Sequence, residues 1–447
     1  MIRSSASRIL FSVSMLAVVA TAAPAETSAA HQWPQWRGPL STGVAPHADP
    51  PVEWSEEKNV RWKTALPGLG HSTPVVWGGR VFVTTAAPYG EAFPAKLSGA
   101  KGGHDETPIT HRHKFMVVAL DRGTGKIVWE RTVREELPHQ GGHRTASLAS
   151  SSPITDGERV FACFGSWGLY CLDVKGEVVW KKDFGLLDTL HGHGEGSSPV
   201  LHGDRLVLNW DHEGDSFLVA LDAKTGREVW KTPRERASSW STPIVVEHAG
   251  KAQVVVSGSQ RVRSYDLSDG KLIWECAGLS VENVVATPVA GHGMVFAGST
   301  YDRPGMLAIR LEGAKGDITG TDNVAWHHKR GAPYVPSPLL FGEALYFLNH
   351  FQGGVITRMA ARTGEPKPGA FRLPNMQNIF ASPVAAAGRV YVCSREGRTV
   401  VLKDGDSLEV LAQNRLDDKF SASPALAGKE IFLRGEQFVY CIAAGAK

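Results

Sequence analysis

The sequence is poor in cysteine, and no two of its cysteines are adjacent. There are five, an odd number, so a framework that pairs every cysteine within the chain is excluded. None precedes Cys163, which leaves no cysteine for a lipid anchor near the N-terminus. Lysine and arginine form no run and the formal net charge is only +3, so nucleic acid is not an expected partner. The longest apolar stretch, Ile9 to Ala20, is shorter than the ~20 residues a helix needs to cross a bilayer. Cysteine pairs and helical histidine spacings that mark structural zinc sites are also missing.

What is present begins with a leader. Arg3 and Arg8 precede the apolar stretch, and Ala23-Pro24-Ala25 follows it as a small-residue cleavage site. Residues 1–25 therefore read as a secretory signal peptide, and the product as periplasmic or secreted, with no transmembrane segment after cleavage. Residues 26–58 are rich in proline and tryptophan and suit irregular structure. Trp33, Trp36 and Arg37 are expected to pin this segment to the domain that follows, although the tryptophans could also stack on carbohydrate.

From residue 59 to 447 the chain repeats itself. "LDRGTGKIVW" (120–129), "LDAKTGREVW" (221–230) and "YDLSDGKLIW" (265–274) are copies of one phrase. A hydroxyl residue followed by proline marks each unit: Thr73-Pro74, Ser152-Pro153, Ser198-Pro199, Thr242-Pro243, Thr287-Pro288, Ser337-Pro338, Ser382-Pro383 and Ser423-Pro424. These anchors recur about every 45 residues, a period typical of four-stranded propeller blades, with one insertion in the first unit. Within a unit the runs are short, rich in Val, Leu and Trp, and divided by Gly and Asp turns, which is a strand pattern. The last unit stops after its third strand. "NVRWKTAL" (59–66), ahead of the first anchor, supplies the missing fourth and closes the ring. The expectation is an all-β, eight-bladed propeller of four-stranded antiparallel blades; seven blades is the competing count.

The turn-plus-tryptophan phrases at 121–129 and 222–230 resemble the tryptophan-docking motif of quinoprotein alcohol dehydrogenases. The same repeat is found in the outer-membrane protein assembly factor B group of periplasmic propellers, and the resemblance runs from Val60 to Ile442. It implies a propeller fold, and for the dehydrogenases a pyrroloquinoline quinone (PQQ) held with calcium by a Glu and an Asn, which Glu282-Asn283 imitate. Two departures stand against it. The dehydrogenases typically carry an adjacent cysteine pair, and the assembly factors are typically lipoproteins. Cys163 and Cys171 flank a hairpin and could bridge. Cys171 and Cys441 instead hold the same place in two repeats, which suits small buried residues.

The turns within units are short and alike on one face of the ring, whereas the loops on the other face differ in every blade. Binding residues usually lie on variable loops carried by a rigid frame. Those loops hold His71, His104, His111, His113, His139, His143, His191, His193, His212 and His350. His71, His139, His191, His212, Glu195, Arg236, Trp240, Glu282 and Asn283 are candidate ligand-binding residues. His143, His193 and Tyr334 are candidate acid–base groups, with Arg144 and Arg234 to neutralise an acidic sugar. "HGHGE" places His191, His193 and Glu195 at alternate positions, a donor set for a divalent metal or simply a solvated glycine loop. These residues are compatible with PQQ or a divalent metal and require neither. The expected product is a monomeric module that binds a small molecule, carbohydrate or protein at its loop-rich face. The alternative is an enzyme acting on a sugar or alcohol, by lyase-like proton abstraction or quinone-dependent dehydrogenation.

Overall fold

The computed structural model describes residues 28–100, 102–349 and 353–446; the expected leader lies outside them. Eight antiparallel sheets follow one another along the chain. Blade 1 is built from Val75–Trp77, Arg80–Tyr89, Arg112–Asp121 and Ile127–Glu136. Blade 3 repeats the order with Val200–His202, Arg205–Trp210, Phe217–Asp222 and Glu228–Pro233. Blade 8 takes three strands from the C-terminal end, Ala425–Ala427, Glu430–Arg434 and Phe438–Ala443, and its outer strand from Val60–Ala65. In that closing pair Ala65 lies opposite Phe438 and Val60 opposite Ile442. The ring is an eight-bladed propeller, as the repeat count requires. One feature was not expected: Gly316–Asp317 adds a short fifth strand to blade 4, parallel to Leu272–Ala277.

The repeated phrase now has a physical reason. The glycines of the repeated phrase, Gly125, Gly176, Gly226, Gly270 and Gly364, each lie under the tryptophan of the preceding blade. Gly226 has φ +68°, and a Cβ there would stand 2.7 Å from the Trp180 ring. The indole N–H of Trp180 donates to the Ala223 carbonyl at 3.0 Å. Trp62, Trp129, Trp230 and Trp326 repeat this on Arg122, Val174, Leu267 and Ala361. Trp274 departs, because its indole turns to Gln253 of its own blade.

The hydroxyl-proline anchors form a second device. The backbone N–H of Thr73 donates to the Ser152 hydroxyl at 2.9 Å. The same bond, at 2.9–3.0 Å, joins Ser152 to Ser198, Ser198 to Thr242, Thr242 to Thr287, Thr287 to Ser337, Ser337 to Ser382 and Ser382 to Ser423. Every seam between blades 1 and 8 in chain order is thus tied by a buried hydroxyl that satisfies a backbone donor. At the closing seam, between blades 8 and 1, Thr73 Oγ1 has no partner among the described residues.

Residues 33–45 lie against the inner strands. Trp33, fully buried, pairs with Val76, and Val44 bridges to Ala385. Arg37 donates to the carbonyls of Pro338 at 2.7 Å and Pro383 at 2.8 Å, tying blades 6 and 7. Burial without a carboxylate pushes its guanidinium down to about 9. The five cysteines are free and buried. Cys163 lies opposite Leu169 and Cys171 opposite Phe161, so the conceivable cross-strand bridge has no matched register.

Candidate functional site

The loop face is assembled from three segments that meet over blades 1 to 3. They are the blade 1 insertion around residues 102–107, the loop 136–150 entering blade 2, and the loop 190–197 entering blade 3. The backbone N–H of His143 donates to His193 O at 3.2 Å, that of Arg144 to Asp105 O at 2.7 Å, and that of Thr107 to Gly142 O at 2.8 Å. Such close approach needs glycine: a Cβ on Gly194 would sit 3.1 Å from the Cα of Gly142. Trp240 fastens the third segment by donating its indole N–H to Gly194 O at 2.7 Å.

Four imidazoles converge there. The His193 ring lies 4.9 Å from His104, 5.1 Å from His143 and 5.2 Å from His191, and His104 lies 4.9 Å from His191. The Nδ1 atoms of His104 and His191 both face the Gly102 carbonyl, at 3.1 and 3.0 Å. His143 Nδ1 contacts the Thr145 hydroxyl at 2.7 Å, and His193 Nε2 is buried and unpartnered among the described residues. Burial, followed by the three neighbouring imidazoles, pushes His193 down to about 4. Burial also lowers His143, against the pull of Asp105. The rim carries charge of both signs. Arg144 pairs with Asp105 at 3.3 Å, and Glu282 stands 3.9 Å from His191. Burial thus holds His193 and His143 toward the neutral form, with Arg144 as a donor on the rim.

The remaining candidates are placed elsewhere. Glu195 turns away from His191 and His193, because it accepts the backbone N–H and hydroxyl of Ser166. The metal set His191, His193 and Glu195 is thus not assembled. Among the described residues no three His, Cys, Asp or Glu side chains stand as a metal would need. Burial pushes the Glu195 carboxyl up to about 7. It lines a cavity of about 30 Å³ with Ser150, Ser151, Ser197 and Asn209. Arg234 is committed to Asp211 at 2.6 and 2.9 Å and to the Tyr265 hydroxyl at 2.7 Å, all inside the fold. It cannot reach a ligand at the mouth. Arg236 is exposed and paired with Asp215. His212 accepts the Asp188 N–H at 3.1 Å and braces a loop. His139 contacts the Leu187 carbonyl at 2.8 Å and packs edge-on against Trp167. Tyr334 stacks on Tyr301, in the loops of blades 5 and 6, and is raised to about 12 by burial. It is not part of the four-histidine group, so the His–Tyr–Arg lyase set is not brought together. His71 lies beneath the loop 136–150, its N–H donating to Ala149 O at 3.0 Å.

Residues 113–367 and, overlapping them, 214–445 match the profile of the outer membrane protein assembly factor BamB. The chain belongs to the BamB family. The BamB of Yersinia pestis is 26% identical over 198 residues, covering 41% of this chain and 47% of that one. A polyvinylalcohol dehydrogenase of a Pseudomonas species is 23% identical over 287 residues, covering 56% of this chain and 41% of the other. The chain therefore spans less than half the length of these curated relatives. Among solved structures, the quinohemoprotein alcohol dehydrogenase of Comamonas testosteroni superposes with a TM-score of 0.62 at 11% identity, over 95% of this chain and 82% of that one. That likeness concerns the fold.

Within a family that includes this repeat, the quinone–calcium donor set can be tested on the residues present. Glu282 stands at the surface beside His191, whereas Asn283 is buried at 3% exposure with φ +52° and its Oδ1 unpartnered among the described residues. One side chain faces solvent and the other the interior, so this pair does not fit the group. His104 and Asp105 complete the cluster but lie in the long insertion, where no repeat register predicts their position. The concentration of imidazoles in the loops was the one signal that included His104.

Proposed function

We propose that this BamB-family propeller is an exported binding or assembly module whose loop face takes an anionic, polyhydroxylated ligand at the four-histidine cluster. The observation that carries this reading is the meeting of His104, His143, His191 and His193 from three separate segments, with ring centres 4.9–5.2 Å apart. Neutral imidazoles can donate and accept, and Arg144 at the rim adds a cationic fork for a carboxylate. The leader-like residues 1–25 support export to the periplasm or beyond. A protein partner bearing acidic side chains would meet the same chemistry. The enzyme reading has less support, because Arg234 and Tyr334 stand outside the cluster and Glu282-Asn283 do not form a cofactor cradle.

The test is isothermal titration of the full chain with oligogalacturonate at pH 7.5. Wild type is expected to bind, and His193→Ala and Arg144→Ala to bind at least ~10-fold more weakly with unchanged folding. Equal binding by all three, or no binding by wild type, would remove the reading.

A further inference from the structure

The seam that closes the ring carries three unmatched polar atoms. Thr73 Oγ1, His71 Nε2 and Arg434 Nη2 are all buried and without a hydrogen-bond partner among the described residues. Thr73 and His71 come from the segment entering blade 1. Arg434 ends the second strand of blade 8, and its side chain crosses the seam to reach the Thr84 carbonyl of blade 1 at 3.4 Å. Gly70 makes room for it: a Cβ there would stand 2.9 Å from Arg434 Nη2.

Arg434 is 2% exposed, and no carboxylate pairs with it among the described residues. Asp418 acts on it from a distance, but the Asp418 oxygens accept the N–H groups of Gln437 at 3.2 Å and Phe438 at 3.0 Å. Arg395, the other guanidinium near His71, is spent on Glu436 at 2.9 Å and on the Ser421 hydroxyl at 2.6 Å. A buried guanidinium that keeps its charge needs an acceptor for its donors. Here the missing acceptor and the two other unmatched groups share one seam.

The geometry points to a small oxyanion, a phosphate or a carboxylate, bound at the closing seam by Arg434 Nη2 and His71 Nε2, with the Thr73 hydroxyl beside them. The site uses none of the four clustered histidines. Its chemistry is the guanidinium fork and imidazole N–H that oxyanions accept. Burial and the two arginines push His71 down to about 3, which keeps it a neutral donor at neutral pH. An occupant here would tie blade 8 to blade 1 where the hydroxyl ladder has no link.

The experiment is thermal unfolding of the full chain in a chloride buffer of constant ionic strength, with rising inorganic phosphate in one arm and acetate in the other. Saturable stabilisation of wild type by at least one anion is expected, and the arm that saturates at lower concentration identifies the preferred oxyanion. Arg434→Met should abolish that response, and His71→Leu should weaken apparent affinity about tenfold, whereas Arg144→Ala at the mouth should keep it. Should Arg434→Met not fold, the His71→Leu titration decides alone. No saturable response of wild type to either anion, or an equal response in the seam variants, would overturn the site.

Discussion

The hydroxyl of Thr242 accepts the backbone N–H of Ser198 at 2.9 Å, while the N–H of Thr242 donates to Thr287 Oγ1 at 2.9 Å. One residue thus ties its blade to both neighbours. Replacing it by valine keeps its shape and removes the acceptor, leaving a buried N–H unpaired. Thr242→Val is expected to lose about 1–3 kcal/mol of stability. Thr73→Val, whose hydroxyl is already unpartnered, should be close to neutral in phosphate-free buffer. Urea denaturation of the two variants compares them directly.

The tryptophan docking makes a paired prediction. Gly203 and Gly226 both have positive φ, at +57° and +68°, but only Gly226 lies under a ring. Gly203→Ala should cost only the left-handed backbone term, about 1–2 kcal/mol. Gly226→Ala must also displace Trp180 and should melt clearly lower. Equal melting temperatures would show that the indole gives way without cost.

Glu195 gives a pH dependence with a definite sign. Its folded pKa, about 7, lies above the ~4.3 of an unfolded glutamate. The folded protein holds a proton that the unfolded chain has released, so this group's contribution falls as pH rises from ~4.3 to 7. Glu195→Gln keeps the Ser166 contacts and removes the titration. Its melting temperature relative to wild type should climb between pH 4.5 and 7.5. A falling difference would mean that the ionised carboxylate is stabilised by its surroundings.

Arg234 is expected to matter for folding and not for binding. Asp211 and Arg234 are nearly enclosed, with side-chain exposures of 3% and 4%. Arg234→Ala strands a buried carboxylate and should cost about 3–5 kcal/mol. Below its melting temperature the variant should still bind oligogalacturonate with wild-type affinity, as titration can check.

The ring was legible in the sequence because each blade restates its own constraints. The anchors Thr73 to Ser423, the turn glycines and the strand at 60–65 all follow from periodicity. The use of the anchor hydroxyls as a ladder was not legible, since sequence spacing carries no information on which donor they meet across a seam. The site was harder still. Alternation in "HGHGE" suggested that Glu195 joins the histidines, but the short turn Gly165–Trp167 of blade 2 presents Ser166, whose N–H and hydroxyl capture that carboxylate. Arg234 read as a loop cation because its partner Asp211 is distant in sequence. Both are tertiary choices, made by burial, that residue type alone does not announce.

Hydrogen–deuterium exchange with and without saturating oligogalacturonate tests the binding face most directly. Protection is expected in residues 102–107, 136–150 and 190–197, and not in the turns at 122–126 and 222–226 on the opposite face. Protection of those turns with none at the three loop segments would contradict a site at the four-histidine cluster.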